Sequence, residues 1–396
     1  MKNISILFPI FILLILFSCS ENNKVRINIV GYAKLEKFSI VLNDRSKIRI
    51  DGKSIKATVI DILPFESKVI YDKIRPVEFD SIYIKSNGEI IFNSYAGDQE
   101  YEGDFLMERY GSCIRIINTI NMDDYFASVL GSEMGDGFSF EALKACAVAI
   151  RTYYYERRKE YAEAGYDINN ADGIDMVYRG SSFATQKMYR AFMETEGLFL
   201  FDKKGKLALP LFHSTSGGVI LKDEAMTSGF YDEIDDPVLT YDLDEKNIPL
   251  SASSPYFEFK SLLGVEDLQK IISGKAGRAD IKDIKLKYFD KTGCVDFIGF
   301  VKEPGNIEWM KAYEFVSLCQ KNGYHDVRSI QFIVEKIVDG YLFKGYGFGH
   351  LCGMSQYSAE TLAEMEFSFD KILGKYYPDC VVRKTGYSMT DILFDG

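Results

Sequence analysis

The apolar residues of this chain change their spacing near residue 119, and that change constrains the fold more than any other feature. Before it, Val25, Ile27 and Ile29 alternate with Arg26 and Asn28, and Ile48 and Ile50 lead into a turn at Asp51-Gly52. A period of two marks strands with one buried face. Ile82-Tyr83-Ile84 and Ile90-Ile91-Phe92 flank Asn87-Gly88, which predicts a hairpin because both central residues tolerate positive φ. Residues 113–117 form a further short strand. After the change, residues 122–130 predict a short helix. Leu143, Ala147, Ile150 and Tyr154 then recur on one helical face, behind Ser139 at the N-cap and Glu141 in the first turn. A strand block followed by helices is the signature of an α+β chain.

Beyond this point a helix is expected from about Ser182 to Gly197, with strands at 198–201 and 209–212. Residues 232–249 are acidic and irregular, a loop. Residues 284–288 and 294–301 are expected to pair across Asp290-Lys291-Thr292-Gly293. Ala312, Phe315, Val316 and Cys319 mark a helix that ends by Gly323. Residues 330–334 and 341–343 flank a turn at Asp339-Gly340, and a helix is expected from Ser358. No internal repeat interrupts this order.

The first residues are an address. Met-Lys leads into an apolar run from Ile4 to Phe17, followed by Ser18-Cys19. Fourteen apolar residues are fewer than the roughly 20 that a spanning helix needs, and the pattern fits an export signal. Residues 20–24 then form a polar tether. Lys and Arg total 47 against 58 Asp and Glu, a net charge of −11. Removing residues 1–18 takes away Lys2 and no acid, which leaves −12. An acidic chain lacks the footprint of a nucleic-acid binder. The six cysteines beyond Cys19 are spread singly, and free buried thiols are expected at Cys146 and Cys319. With only His213, His350 and His325 present, a multi-histidine metal site is not expected.

Three segments could carry chemistry. In Ser132-Glu133-Met134-Gly135, Glu133 stands beside apolar Val129, Leu130 and Met134. Such surroundings raise a carboxyl pKa and make a general acid, or Glu133 caps the helix near residue 140 or faces water. Arg151 lies about 80° round the helix from Leu143; it points into a cleft or sits on the surface. The third segment is Gly345-Tyr346-Gly347-Phe348-Gly349-His350-Leu351-Cys352-Gly353-Met354-Ser355-Gln356-Tyr357. It lacks the Lys and Ser/Thr of a phosphate loop, and His350-x-Cys352 supplies two ligands where a metal site needs more. His213-Ser214-Thr215-Ser216-Gly217-Gly218 is not the nucleophile elbow of a serine hydrolase.

In chain order, the motifs are similar to those of the stage II sporulation protein D family, the SpoIID/LytB domain. They are Tyr101-x-Gly103, Met122-Asp123-Asp124-Tyr125-Phe126-x-x-Val129-Leu130-x-Ser132-Glu133-Met134, and Glu141 through Tyr153. Val177-Tyr178-x-Gly180, Thr195-x-Gly197 and Ser214-Thr215-Ser216-Gly217-Gly218 follow. Gly347-x-Gly349-His350-x-x-Gly353-Met354-Ser355-Gln356-Tyr357-Ser358-Ala359 and Ile372-Leu373-x-x-Tyr376-Tyr377-Pro378 close the set. The resemblance spans about residues 100–380. Leu16-Phe17-Ser18-Cys19 likewise resembles a bacterial lipobox, which implies lipidation at Cys19 and a chain exported to the cell envelope and tethered to a bacterial membrane.

The resemblance implies a mixed α+β fold with a β-rich N-terminal part and two lobes around a substrate cleft. The implied division is a signal at 1–18, a β-rich region at 19–98, a catalytic core at 99–231, and a second lobe at 232–340. The Gly-rich motif and helices at 341–385 would complete the core. The implied activity is that of a lytic transglycosylase, a lyase acting on peptidoglycan; the alternative is a non-catalytic activator of a cell-wall amidase. Glu133 and Arg151 match the family's catalytic pair. His350, Ser355, Gln356, Tyr178 and Ser216 are sugar-binding candidates. No cofactor is implied, and the loop at 159–177 has neither the His nor the Cys with which some members bind zinc. The chain departs from the pattern at Met176 (Gln in the family), Leu351 (Gly) and Phe138 (Trp).

Overall fold

A computed structural model describes residues 23–71, 75–95, 97–171, 175–222, 238–276, 281–289 and 293–385. The export signal, Cys19, residues 232–237 of the acidic loop and the turn residues 290–292 lie outside them. The fold is α+β. The described residues group into two compact units. One is drawn from Met1–Gly137 and Tyr154–Glu196, the other from Phe138–Tyr153 and Gly197–Gly396. Among the described residues no helix is long and apolar enough to cross a membrane.

In the first unit the period-two segments build two sheets. The larger runs Ile168–Asn169, Lys24–Asn28, Cys113–Asn121, Asp104–Tyr110, Ser81–Lys85, Lys47–Ile50, Lys53–Ile55. The other runs Gly97–Tyr101, Ile90–Ser94, Phe38–Val41, Val59–Leu63, Lys68–Tyr71, Val77–Glu78. Their inward residues meet in a shared aromatic core: Phe92 of the second sheet lies 4.9 Å from Phe105 of the first, centroid to centroid. Tyr101, Tyr178 and Tyr125 extend it.

The hairpin expected at Asn87-Gly88 does not form. Ser81–Lys85 pairs with Asp104–Tyr110 and Lys47–Ile50, whereas Ile90–Ser94 pairs with Gly97–Tyr101 and Phe38–Val41. The turn therefore carries the chain from one sheet to the other. Gly88 takes φ 114° but Asn87 stays at negative φ, and a two-residue type I′ turn needs both positive. Side chains fix the crossover instead: Ser86 Oγ donates to the Gly88 carbonyl at 2.7 Å, and Asn43 Nδ2 donates to the Glu89 carbonyl at 2.9 Å.

The helix Phe140–Arg157 follows Ser139, whose carbonyl accepts from Leu143 N–H. It is not one-faced. Every residue from Ala142 to Tyr155 except Lys144 is buried, including Arg151 at 6% exposure. Ala142, Ala145, Ala147 and Ala149 make it thin enough to be packed all round, the condition of an interior helix.

The second unit holds two three-stranded antiparallel sheets. One is Glu258–Gly264, Gly340–Tyr346, Gln331–Ile337; the other is Asp283–Tyr288, Val295–Glu303, Asn306–Lys311. Both pairings expected around Asp339-Gly340 and around residues 290–293 are present. Phe300, Phe315, Phe343 and Cys319 centre their core, with the helices Val265–Ala276 and Ala312–Lys321. Cys146 and Cys319 are buried thiols. The strand expected at 209–212 shrinks to Phe212–His213, which pairs in parallel with Met354–Ser355. The helix expected from Ser182 is a single 3₁₀ turn at Ser181–Phe183 followed by Gln186–Glu194. The helix expected from Ser358 starts at Gln356, because Ser355 Oγ caps it by accepting from Ser358 N–H.

Candidate functional site

Glu133 is the last residue of the helix Met122–Glu133. Asn121 starts that helix by accepting from Asp123 N–H at 2.9 Å, and Asp123 and Asp124 complement the positive end of its dipole. Gly131 permits its end to pack tightly, since a Cβ there would sit 1.9 Å from the Phe183 carbonyl oxygen. Residues 176–180 then lace along the helix terminus. Val177 N–H donates to Glu133 Oε1 at 2.8 Å, and Arg179 N–H donates to Ser132 Oγ at 3.3 Å.

The extended backbone alternates, so the residue between them turns the other way. Tyr178 is 2% exposed, and its hydroxyl donates to Asn118 Oδ1 at 2.9 Å inside the aromatic core. Asn170 clamps the same residue by bonding both its N–H and its carbonyl. Gly180 ends the segment at φ 99°, and a Cβ there would lie 2.0 Å from the Glu100 carbonyl oxygen. The result is a half-buried carboxylate with one oxygen held by backbone.

Arg151 is held in the second unit. Its Nη1 donates to the Leu198 carbonyl at 3.2 Å, and its guanidinium lies 6.0 Å from the Phe199 ring centroid. The neighbouring Thr152 Oγ1 accepts from Leu200 N–H at 3.1 Å. Two successive helix residues thus fasten the strand Leu198–Phe201.

The His213–Gly218 and Gly345–Tyr357 segments interlock. Phe348 and Thr215 exchange backbone hydrogen bonds, Met354 N–H donates to Leu211 O, and Tyr357 N–H donates to Ser214 O. Gly347, Gly349 and Gly353 all take positive φ, and so does Leu351 at 62°, although its side chain is fully buried. His213 Nδ1 lies 3.0 Å from the Cys352 carbonyl, while Cys352 N–H donates to His350 Nδ1 at 3.1 Å. The two rings are 5.4 Å apart. Burial pushes both imidazoles down, His213 to about 3 with help from His350, and His350 to about 4. Both are neutral at pH 7, so His213 donates through Nδ1 and its Nε2 is a buried acceptor. His350 is half-buried; Ser355 and Gln356 are buried.

Ser216 is fully buried and donates to Asp242 Oδ2 at 2.8 Å. Asp242 also accepts from Ser358 Oγ at 2.6 Å and from the Tyr376 hydroxyl at 3.2 Å, with Lys375 Nζ 3.8 Å away. Ser355 joins through Ser358 at 2.9 Å. Asp242 was not singled out in the sequence, where it is one acid among Asp235, Asp236, Asp244 and Glu245; only its place after an apolar-rich run at 238–241 sets it apart. In the sequence His213 stands at the head of the Ser-rich motif. Of the expected site residues, Glu133 and Tyr178 stand in the first unit, and Arg151, Ser216, His350, Ser355 and Gln356 in the second. The hydrogen bonds bring Ser216 and Ser355 into one network and set Glu133 one peptide from Tyr178.

Residues 110–201 match the model of the SpoIID family, described as Stage II sporulation protein. The chain is 23% identical over 381 residues to an uncharacterized protein of Brachyspira hyodysenteriae, covering 91% of this chain and 93% of that one. It is 25% identical over 293 residues to the Amidase enhancer of Bacillus subtilis, covering 63% of this chain and 39% of the relative's length.

Proposed function

We propose that this chain, which carries a SpoIID domain at residues 110–201, is a peptidoglycan lytic transglycosylase with Glu133 as its acid and base. The observation that carries the reading is the half-buried Glu133 carboxylate, aimed by Val177 N–H within the matched domain. The protonated carboxyl gives its proton to the oxygen linking N-acetylmuramic acid to N-acetylglucosamine. That bond breaks through an oxocarbenium-like state. The 6-hydroxyl of the same muramic residue then bonds to C1, and the Glu133 carboxylate takes the hydroxyl proton. The products are a free glycan end and a 1,6-anhydromuramoyl end. No water is consumed, so one carboxylate serves both steps, and such acid–base help is worth about 10²–10⁴ in rate.

Arg151 supplies a positive charge for a substrate oxygen. His350 offers a half-buried neutral ring to the sugar, and Ser355 and Gln356 line its approach. Tyr178 and Ser216, each buried in its own unit, support the residues around them from inside. Lipidation at Cys19 tethers the exported chain to a membrane, and the bacterial envelope is its place of action.

A second reading, a non-catalytic activator of a cell-wall amidase, is favoured by the similarity to the Bacillus subtilis Amidase enhancer. Digestion of denuded and peptide-bearing glycan strands, read by mass spectrometry, separates the two. Anhydromuramoyl products that vanish with Glu133→Gln support the first. No product from either substrate, with amidase stimulation that survives Glu133→Ala, replaces it by the second.

A further inference from the structure

The sheet Asp283–Tyr288, Val295–Glu303, Asn306–Lys311 has two unlike faces, and register assigns them. Ile284 opposite Phe300, and Leu286 opposite Ile298 and Met310, belong to the core of the second unit. The alternate rows therefore face outward: Lys285, Gly299, Trp309 in one and Lys287, Phe297, Lys311 in the next. A Cβ at Gly299 would come within 2.8 Å of two atoms of the six-membered ring of Trp309. The absence of that atom lets the indole lie over the bare strand. Lys287 Nζ rests 4.3 Å from the Trp309 ring centroid, and Lys311 Nζ 5.4 Å from that of Phe297.

Lys285 and Lys287 are exposed; Phe297 and Trp309 are half-buried. Asp283 pairs with Lys285 at 2.9 Å and Asp296 interacts electrostatically with Lys311 and Lys287, so three lysines stand against two acids at this face. On a chain of net charge −11, the face is a local positive field backed by π surfaces. Such a field draws anions that the rest of the surface repels.

The ligand that matches both features alternates apolar ring faces with carboxylates. Sugar C–H bonds carry partial positive charge and seat on the negative face of an aromatic ring, while the ammonium already parked on that ring is the partner for an anion. We propose that this face binds the glycan strand of peptidoglycan, a pyranose ring displacing the Lys287 ammonium from the Trp309 ring and Lys287 pairing with a carboxylate of the muramyl side branch. The site rests on the peptidoglycan reading above and adds a second hold on the same polymer, separate from Glu133.

Trp309 is the only tryptophan in the chain, so its fluorescence reports this face alone. Titrating the full chain with a soluble disaccharide bearing its stem peptide should give a saturable emission change, and a neutral N-acetylglucosamine tetramer a markedly weaker one. Lys287→Gln, at an exposed position that tolerates exchange, should weaken the muropeptide response about fivefold. Trp309→Ala should lower retention on purified sacculi about tenfold. Flat emission with muropeptide overturns the inference, and when wild type still releases anhydromuramoyl ends it does so without touching the peptidoglycan reading. Flat emission with neither cleavage nor sacculus retention overturns both. An equal response to poly-glutamate also overturns it, because the occupant is then an acidic peptide.

Discussion

Glu133 Oε1 accepts the backbone N–H of Val177 at 2.8 Å, so main chain orients one oxygen of the candidate acid. A glutamine oxygen can accept the same bond but cannot deliver a proton. Glu133→Gln is expected to lower anhydromuramoyl release by about 10²–10⁴, while the unfolding midpoint in urea moves by about 1 kcal/mol or less. Product quantified by mass spectrometry beside a denaturation curve checks both halves.

Asp242 presents a different balance. Three hydroxyls, from Ser216, Ser358 and Tyr376, donate to a carboxylate with no exposed surface. Asp242→Ala leaves those donors buried without their acceptor and is expected to destabilise the chain by about 3 kcal/mol or more. Ser358→Ala, which removes one donor and keeps the acceptor, should lose about 1 kcal/mol. Urea unfolding that ranks the two variants the other way would remove Asp242 from the centre of this network.

His213 makes stability depend on pH. Its folded pKa is pushed down from 6.5 to about 3 by burial and by His350. Below pH 6.5 the unfolded chain binds a proton that the folded chain refuses. The contribution is therefore fully present above about pH 6.5 and is lost as pH falls toward 3, at up to about 1.4 kcal/mol per pH unit for one histidine. His350, lowered to about 4, acts in the same direction. Thermal unfolding between pH 7 and 4.5 should show this slope, and His213→Asn should flatten it.

Leu351 couples two opposed effects. Its φ of 62° is unfavourable for a side chain with a Cβ, by about 1–2 kcal/mol, yet that side chain is fully buried in the core of the second unit. Leu351→Ala forfeits the burial and keeps the strained backbone, which is expected to cost about 2–5 kcal/mol. Leu351→Gly relieves the strain, so it should be about 1 kcal/mol less damaging than the alanine, the reverse of the usual order. Equilibrium unfolding of the pair decides it.

The tether proposed at Cys19 gives a cellular prediction. Cys19→Ala should move the protein from the membrane to the soluble fraction while its glycan cleavage in extract is kept. Fractionation and immunoblotting read the result; a variant that stays with membranes rules out the lipid.

Sequence spacing exposed the strand block, the long helix and the two later hairpins because each rests on local periodicity. It did not expose the partners of Asn87-Gly88, since a glycine at positive φ serves a hairpin and a crossover equally, and the choice belongs to Phe92 and Phe105 meeting across two sheets. The spacing of Leu143, Ala147, Ile150 and Tyr154 marks one face of the long helix, yet Arg151 and Thr152 are buried too, each with a backbone partner in the strand Leu198–Phe201. Glu133 was visible through its motif, but its tie to Val177 joins positions 44 residues apart. Asp242 stayed hidden among neighbouring acids for the same reason, as its hydroxyl partners come from segments far along the chain.

Gly180 never meets a sugar in the proposed reaction, yet the reaction depends on it. Its missing Cβ is what allows residues 176–180 to rest against the carbonyl of Glu100, and that resting height decides how far Val177 N–H reaches. Any side chain at 180 acts as a shim, lifting the segment and drawing Val177 N–H away from Glu133 Oε1. The precision of the proposed chemistry is thus borrowed from the thickness of a backbone, and damage there would appear in an assay as a failed catalyst with its Glu133 untouched.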